Sequence, residues 1–342
     1  MAAAGPRNLI TDVPGILVGQ AEDHDCISGT TVVLAEPAAV AAVDVRGGAP
    51  GSRETELLAP ETLVDRVDAI VLSGGSAFGL DAASGVMEWL AEAGRGFTIR
   101  SATTGSPPIV VPIVPAAILF DLGFPGRRGW TGEPPFRALG RDAVAAVAKD
   151  FALGNAGAGL GATAGRLKGG IGSASLRLAG GRMVGVIVAV NSWGATARPD
   201  CGRFWAADLA LAGEIDPQPA MPDAPVDPED YSGCGAMTPA ANTTIAVVAT
   251  DAVLDKSGCR RFAIMAQDGL ARAIRPAHTP FDGDTVFALS TGSGAGVSQL
   301  DLLKLGNAAA DCLARAIMRA MIAAEPLGGV ADWQQRWGRS PA

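Results

Sequence analysis

Hydrophobic positions follow two different periods along the chain, and together they predict an α/β protein. Apolar, β-branched runs predict strands at 67–72, 172–178, 183–190, 243–250 and 286–290, and two strands within 31–45. Apolar residues at helical spacing predict helices at about 78–93, 136–150, 255–275 and 298–324. The 342 residues are enough to bury a sizeable core. That length allows one large domain or two smaller ones, and we expect a single domain over residues 1–342.

An acidic, proline-rich segment interrupts this pattern between Gly213 and Asn242. Its 30 residues hold six prolines, six acidic residues and no Lys or Arg. Such a segment buries too little apolar surface to offset the entropy of ordering it, which predicts an exposed linker. A strand begins directly after it, at Thr243. A buried strand that follows a linker so closely suggests a precursor cut between Asn242 and Thr243, into fragments 1–242 and 243–342.

Thr243 would then carry a hydroxyl and a free α-amine on one residue. An α-amine has an ordinary pKa of about 7.7–8.0, so it can act as the base for its own hydroxyl near neutral pH. This chemistry needs no histidine, and the chain has only His24 and His278. The alternative is that Asn242 and Thr243 only form a turn that enters a strand.

A pair of acidic residues precedes the strand predicted at 286–290. Asp282 and Asp284 flank a glycine, and two carboxylates at this spacing are able to orient a hydroxyl and an ammonium beside a nucleophile. The alternative is an ordinary Asp-Gly turn.

Two further motifs offer rival chemistries. The glycine tract Gly157–Gly165 nearly matches a dinucleotide-binding fingerprint, although no convincing strand precedes it. Ser76 follows a predicted strand in a motif that loosely resembles a nucleophile elbow, with His278 as its candidate base.

Charge and composition narrow the function classes. The net charge is −8 and Lys and Arg form no run beyond pairs, which argues against a nucleic-acid partner. No 18-residue apolar stretch predicts a membrane span, and the first residues lack a signal-peptide core, so we expect a cytoplasmic protein. Five scattered cysteines and two histidines form no metal-binding pattern. We expect neither a metal nor a cofactor.

Several stretches taken together resemble one family. They are the runs at 11–19, 44–51, 72–80, 111–117, 157–165 and 242–252, and Asp282-Gly283-Asp284-Thr285. In this order they resemble the self-processing peptidases that include the D-aminopeptidase/esterase DmpA, the β-aminopeptidases and the nylon-oligomer hydrolases. Cleavage at an Asn-Thr bond is similar to the nylon-oligomer hydrolase branch, since the D-aminopeptidase branch cleaves at Gly-Ser.

The resemblance implies a fold and a set of site residues. The fold is a four-layer αββα sandwich of the N-terminal-nucleophile type, in which two packed β-sheets are flanked by helices. Asn191 matches an asparagine that supports the oxyanion, and Asp282 and Asp284 match an acidic pair near the nucleophile. A family lysine is replaced by Arg166, with Lys168 two positions on, and a family tyrosine is replaced by Phe120, which has no hydroxyl.

These observations predict a self-processing hydrolase of amide bonds with Thr243 as nucleophile. The expected substrate is a short peptide, an amino-acid amide or an oligoamide, and the resemblance implies a homotetramer of processed units. Two alternatives stay open. One is acyl transfer, as in the self-cleaving ornithine acetyltransferases, and the other is a nucleotide-binding module on the glycine tract.

Overall fold

The secondary structure mixes short helices with strands that lie mainly in one large sheet. The computed structural model describes residues 3–100, 107–215, 219, 220, 222, 225–235 and 242–338. The helices are α1 (Ala82–Glu92), α2 (Phe136–Ala145), α3 (Lys256–Ala266), α4 (Asp268–Ala273), α5 (Gln299–Ala323) and α6 (Trp333–Trp337). The strands are β1 (Ile16–Asp23), β2 (Ser28–Val45), β3 (Ser52–Arg53), β4 (Arg66–Ser73), β5 (Phe97–Ile99), β6 (Ile109–Val111), β7 (Ala116–Ile118), β8 (Thr163–Ala164), β9 (Leu167–Lys168), β10 (Gly170–Arg177), β11 (Met183–Asn191), β12 (Thr243–Thr250) and β13 (Thr285–Ser290).

The long strand β2 joins two parts of a nine-stranded sheet. The strand order is β10-β11-β12-β13-β2-β4-β7-β3, and β1 pairs with the first half of β2. The second half of β2 pairs with β13, from Val40 to Val45. Strand β2 therefore begins in one of the two sheet layers and ends in the other sheet layer.

Three hydrophobic cores separate four layers. Helices α3, α4 and α5 pack on the outer face of β10–β13. Helices α1 and α2 pack on the outer face of β2 and β4. The third core lies between the two parts of the sheet. This is the αββα arrangement implied by the resemblance, with the difference that β2 connects both sheet layers by hydrogen bonds.

Side-chain alternation in β12 explains why this strand is central. Ile245, Val247 and Ala249 face the middle core, whereas Ala246 and Val248 face the helical core that contains α5. A strand with both faces covered is apolar at consecutive positions. The continuous run 243–250 has this composition, and every residue in it is buried.

Some predicted elements differ from the structure. Residues 31–45 were expected to form two strands but lie in the single strand β2, and the register with β4 shifts between Leu34 and Ala39. The helix predicted at 136–150 ends at Ala145. The helix predicted at 255–275 divides into α3 and α4. Hydrophobic periodicity does not locate such boundaries because it reports which faces are buried, not where the backbone bends.

The linker predicted at 213–242 has two kinds of environment. Residues 225–232 are exposed and carry no helix or strand. Glu214, in contrast, is buried and pairs with Arg315 of α5. Residues 216–218, 221, 223, 224 and 236–241 of this segment lie outside the described residues. In the described part of the chain, no helix is long and apolar enough to cross a membrane.

Candidate active site

Antiparallel pairing of β11 with β12 places two of the predicted site residues opposite each other. Asn191, the last residue of β11, is the register partner of Thr243, the first residue of β12. Asn191 is 1% exposed and Thr243 is 3% exposed. The two residues are 52 positions apart in sequence, and strand register alone brings them together.

The Asn242 carbonyl and the Thr243 hydroxyl share one backbone donor. Thr243 Oγ1 donates a hydrogen bond to the carbonyl oxygen of Asn242. The N–H of Gly283 lies 3.1 Å from Thr243 Oγ1 and 3.1 Å from the Asn242 carbonyl oxygen. A Cβ at Gly283 would lie 2.7 Å from Thr243 Oγ1 and 2.7 Å from the carbonyl oxygen of Ala49. Only glycine lets the backbone approach this closely.

Asp282 and Asp284 occupy the loop that supplies this donor. Asp284 Oδ1 accepts from the N–H of Thr244 at 2.9 Å. Its Oδ2 faces His278, which contributes its backbone N–H at 3.0 Å and its ring Nδ1 at 2.8 Å. Asp282 Oδ1 accepts from the N–H of Trp193 at 3.0 Å. Its Oδ2 accepts from the N–H of Thr279 at 3.2 Å and also from the Thr279 hydroxyl.

The pKa of Asp282 is raised above its ordinary value. Burial is the main cause, and the nearby charge of Asp284 adds to it. The hydrogen bonds from Thr279 and Trp193 act in the opposite direction. A cation beside this pair would stabilise both carboxylates in their charged form.

The Asn191 side chain is held by the strands around it. Its Oδ1 accepts from the N–H of Thr163 at 2.8 Å, and its Nδ2 donates to the carbonyl oxygen of Phe120 at 3.0 Å. An amide nitrogen has two hydrogens. Among the described residues, the second hydrogen forms no hydrogen bond. The contact from Phe120 is made by its backbone, so it does not depend on a phenolic hydroxyl.

Lys168 and Arg166 do not contact Thr243. The ammonium of Lys168 is fully buried and donates to the carbonyl oxygens of Gly159 and Gly169, at 2.8 Å each. Burial lowers the pKa of Lys168 to about 7, although the charge of Asp121 opposes this effect. Arg166 is exposed, and its Nε lies 3.3 Å from the carbonyl oxygen of Cys234.

A cavity of about 260 Å³ lies beside Asn242. Asn242, Phe120, Asp121 and Thr163 contribute to its wall. Asp121 is 3% exposed, and burial raises its pKa to about 6 despite hydrogen bonds from Ser28 and from the N–H of Gly75. Nowhere in the described ranges do three His, Cys, Asp or Glu side chains lie close enough together to hold a metal ion.

Sequence reasoning missed several residues of this site. Gly283 stands in the sequence only as the residue between two acidic side chains, whereas in the structure its N–H contacts the Asn242 carbonyl oxygen and Thr243 Oγ1. Trp193 follows Asn191 by two positions, and Asp121 follows Phe120 directly. Their closeness in sequence to the predicted residues Asn191 and Phe120 is the signal that could have pointed to them. His278 was considered as a base for Ser76, but it bonds to Asp284 instead.

The nucleotide-binding interpretation of Gly157–Gly165 is wrong. Gly157–Gly159 form a buried 3-10 turn that packs against β2. The N–H of Gly157 donates to Glu22, and that of Ala158 donates to Thr31 Oγ1 at 3.1 Å. These amides already have partners inside the protein and are not free to bind a phosphate. The glycines allow close backbone packing.

Comparison with known sequences points to amide hydrolysis. The family model of Peptidase family S58 matches residues 8–334. An uncharacterised aminopeptidase of Mycobacterium tuberculosis is 47% identical over 347 residues, which cover 96% of this chain and 97% of the relative. A 6-aminohexanoate-oligomer endohydrolase of Paenarthrobacter ureafaciens is 31% identical over 339 residues, which cover 93% and 87%. The names of these relatives give no support to the acyltransferase alternative.

Solved structures share the fold. A β-aminopeptidase of Burkholderia sp. matches with a TM-score of 0.66 and 23% identity, over 100% of this chain and 97% of that chain. An L-aminopeptidase D-Ala-esterase/amidase of Ochrobactrum anthropi, described as a variant of the Ntn-hydrolase fold, matches with a TM-score of 0.67 and 21% identity, over 95% and 88%. The four-layer fold is thus confirmed. Since the family model also spans nearly the whole sequence, the chain belongs to peptidase family S58 and is a hydrolase of peptide or amide bonds.

Proposed function

We propose that the chain cleaves its own Asn242–Thr243 bond and that Thr243, freed at its amino end, is the nucleophile that hydrolyses amide substrates. The observation that carries this proposal is the contact of the Thr243 hydroxyl with the carbonyl that it would attack. The hydroxyl donates to the Asn242 carbonyl oxygen, and the N–H of Gly283 lies within 3.1 Å of both oxygens.

The processing step is an N-to-O acyl shift. Thr243 Oγ1 bonds to the carbonyl carbon of Asn242, the C–N bond breaks, and the hydroxyl proton passes to the departing nitrogen. Negative charge develops on the Asn242 carbonyl oxygen, where the N–H of Gly283 is already placed to stabilise it. Water then attacks the ester carbon, and Oγ1 regains a proton. The products are a carboxylate on Asn242 and a free amine on Thr243.

The mature site uses the same atoms on a second carbonyl. The new α-amine takes the Thr243 hydroxyl proton as Oγ1 attacks the substrate amide, and returns a proton to the leaving amine. Water then attacks the resulting ester, which releases the acyl group as a carboxylic acid and returns a proton to Oγ1. The free N–H of Asn191 and the N–H of Gly283 supply two donors for the oxyanion, and one such donor is typically worth about 3 kcal/mol. Asp282 and Asp284 lie in the loop beside Thr243, where their charges stabilise its ammonium form.

Short peptides, amino-acid amides and linear oligoamides are the substrates that we propose. The relatives support this range, since one is named an aminopeptidase and another a 6-aminohexanoate-oligomer endohydrolase. The cavity of about 260 Å³ beside Asn242 supports a small acyl group, because Asn242 itself occupies the acyl side of the scissile bond.

Substitutions at two neighbouring threonines test the proposal. Thr243→Ala removes the attacking hydroxyl and should leave an uncut, inactive chain, whereas Thr243→Ser should be cut slowly and retain reduced turnover. Thr244→Val is the matched control, because Thr244 is also buried but faces the opposite side of β12. Its cleavage and activity should stay close to those of the wild type.

Mass spectrometry under denaturing conditions and release of amine from amino-acid amides are the measurements. A Thr243→Ala chain that is still cut and active would refute the assignment.

A further inference from the structure

Two aromatic rings pack against each other close to Asn191 and Asp282 in the sequence. Trp193 follows Asn191 by two residues, and Phe281 directly precedes Asp282. Their ring centroids are 5.9 Å apart, at an interplanar angle of 47°. The backbone N–H of Trp193 bonds to Asp282 Oδ1, which ties this pair of rings to the loop that holds Thr243. We call Trp193 and Phe281 the aromatic shelf.

A residue of the linker packs on the Trp193 ring of the aromatic shelf in the uncut chain. The ring of Tyr231 lies 5.7 Å from that of Trp193, within the usual range of about 4.5–7 Å for aromatic pairs. The tyrosine stays 53% exposed, so it rests on the shelf from the solvent side. Two hydrogen bonds hold this part of the linker: the N–H of Gly235 donates to the Trp193 carbonyl at 2.8 Å, and the Arg166 side chain donates to the Cys234 carbonyl.

The Trp193 indole N–H is a second, independent sign of a missing ligand. Trp193 is 7% exposed, and its Nε1 is buried without a hydrogen-bond partner among the residues that the structure describes. The adjacent ring carbon Cδ1 lies 3.5 Å from the position of a Cβ built on Gly235, and Asn242 Oδ1 lies 3.6 Å from that same position. This edge of the indole therefore lies near Gly235 and Asn242, which both line the cavity beside the scissile bond. A buried donor of this kind is stabilised when an acceptor reaches it.

We propose that the aromatic shelf is a subsite for an aromatic side chain in the acyl half of the substrate, and that Tyr231 occupies it in the uncut chain. The inference rests on the proposed function, since it takes Thr243 as the nucleophile. Tyr231 precedes the scissile bond in sequence, so it belongs to the part of the chain that supplies the acyl group. The substrate side chain that the shelf recognises would likewise belong to the acyl half of the substrate. The indole N–H of Trp193 donates to an oxygen of the bound substrate.

The test compares two amides that differ in the acyl side chain. The substrates are phenylalaninamide and leucinamide, and ammonia release gives kcat/KM for each with fully processed protein. Phe281→Leu should lower kcat/KM for phenylalaninamide relative to leucinamide by about three- to tenfold, the usual size of an aromatic pair contact. Tyr231→Ala removes the competing ring and should raise kcat/KM for phenylalaninamide. Phe78→Leu is the control, because Phe78 is an exposed ring that packs on Trp130 away from the shelf.

Each outcome bears on a different part of the proposal. If Phe281→Leu leaves the ratio of kcat/KM for phenylalaninamide to that for leucinamide unchanged, the subsite is overturned. An equal loss for both amides is one such result, and it would indicate a structural role for Phe281. An unchanged rate in Tyr231→Ala would overturn the role of Tyr231 as occupant. Trp193→Phe keeps a ring but removes the N–H, and it should raise KM more than it lowers kcat. A processed wild-type protein that hydrolyses no amide would reject the proposed function itself, and the subsite with it.

Discussion

Because Asp121 is buried with a raised pKa, we expect the free energy of unfolding to depend on pH in a specific way. Its carboxylate is 3% exposed, and burial raises its pKa from 3.8 to about 6. As the pH rises, the unfolded chain loses this proton near the ordinary pKa of 3.8, whereas the folded chain keeps it until about pH 6. Between these two pKa values the folded state binds more protons, so the free energy of unfolding falls as pH rises. One pKa unit corresponds to about 1.4 kcal/mol, so the total loss above pH 6 is about 3 kcal/mol.

Asp121→Asn should remove this loss. The amide oxygen still accepts from the N–H of Gly75, and the amide group suits Ser28 Oγ, which lies 2.7 Å from the carboxylate. The variant should match the wild type near pH 4 and exceed it by up to about 3 kcal/mol near pH 7. Lys168 opposes part of this gain, because its buried ammonium loses the attraction of Asp121.

Urea unfolding at a series of pH values measures this difference. Both chains would carry Thr243→Ala and be checked as intact by mass spectrometry, so that each unfolds as one chain. Other carboxyl groups with raised pKa values, such as those of Asp68 and Asp282, titrate in both chains and cancel in the difference. Asp142→Asn, at an exposed position of α2, is the control and should follow the wild type. Curves that run parallel from about pH 4 to about pH 6 would refute the reasoning.

Three further predictions concern processing, stability and assembly. Gly283→Ala places a Cβ 2.7 Å from Thr243 Oγ1 and should leave the chain uncut in mass spectrometry. Normal cleavage would contradict the need for a glycine at this close approach. Arg315→Met leaves the carboxylate of Glu214 buried without its charged partner. The free energy of unfolding, measured in urea, should fall by about 3–5 kcal/mol. An unchanged midpoint would contradict the importance of this pair. Light scattering should detect four copies of the processed unit, and a single copy at micromolar concentration would contradict the proposed homotetramer.

Local sequence patterns were sufficient for much of the fold. The continuous apolar run of 243–250 predicted a strand with both faces covered, and β12 is that strand. The composition of 213–242 predicted an exposed linker, and residues 225–232 within it are exposed. Such patterns succeed because burial on one or both faces of an element leaves a local period in the chain. The family resemblance added the αββα arrangement, which periodicity alone does not specify.

Only the tertiary structure decided which polar groups meet. Thr243 reaches Asn191 through strand register across 52 positions, and it reaches the N–H of Gly283 through the loop before β13. No local pattern encodes either contact, because each depends on how distant strands align. The raised pKa of Asp121 has the same origin, since desolvation comes from everything packed around a carboxylate. Sequence predicted a candidate nucleophile and its acidic neighbours, whereas packing determined the donors, the buried charges and the aromatic shelf that surround them.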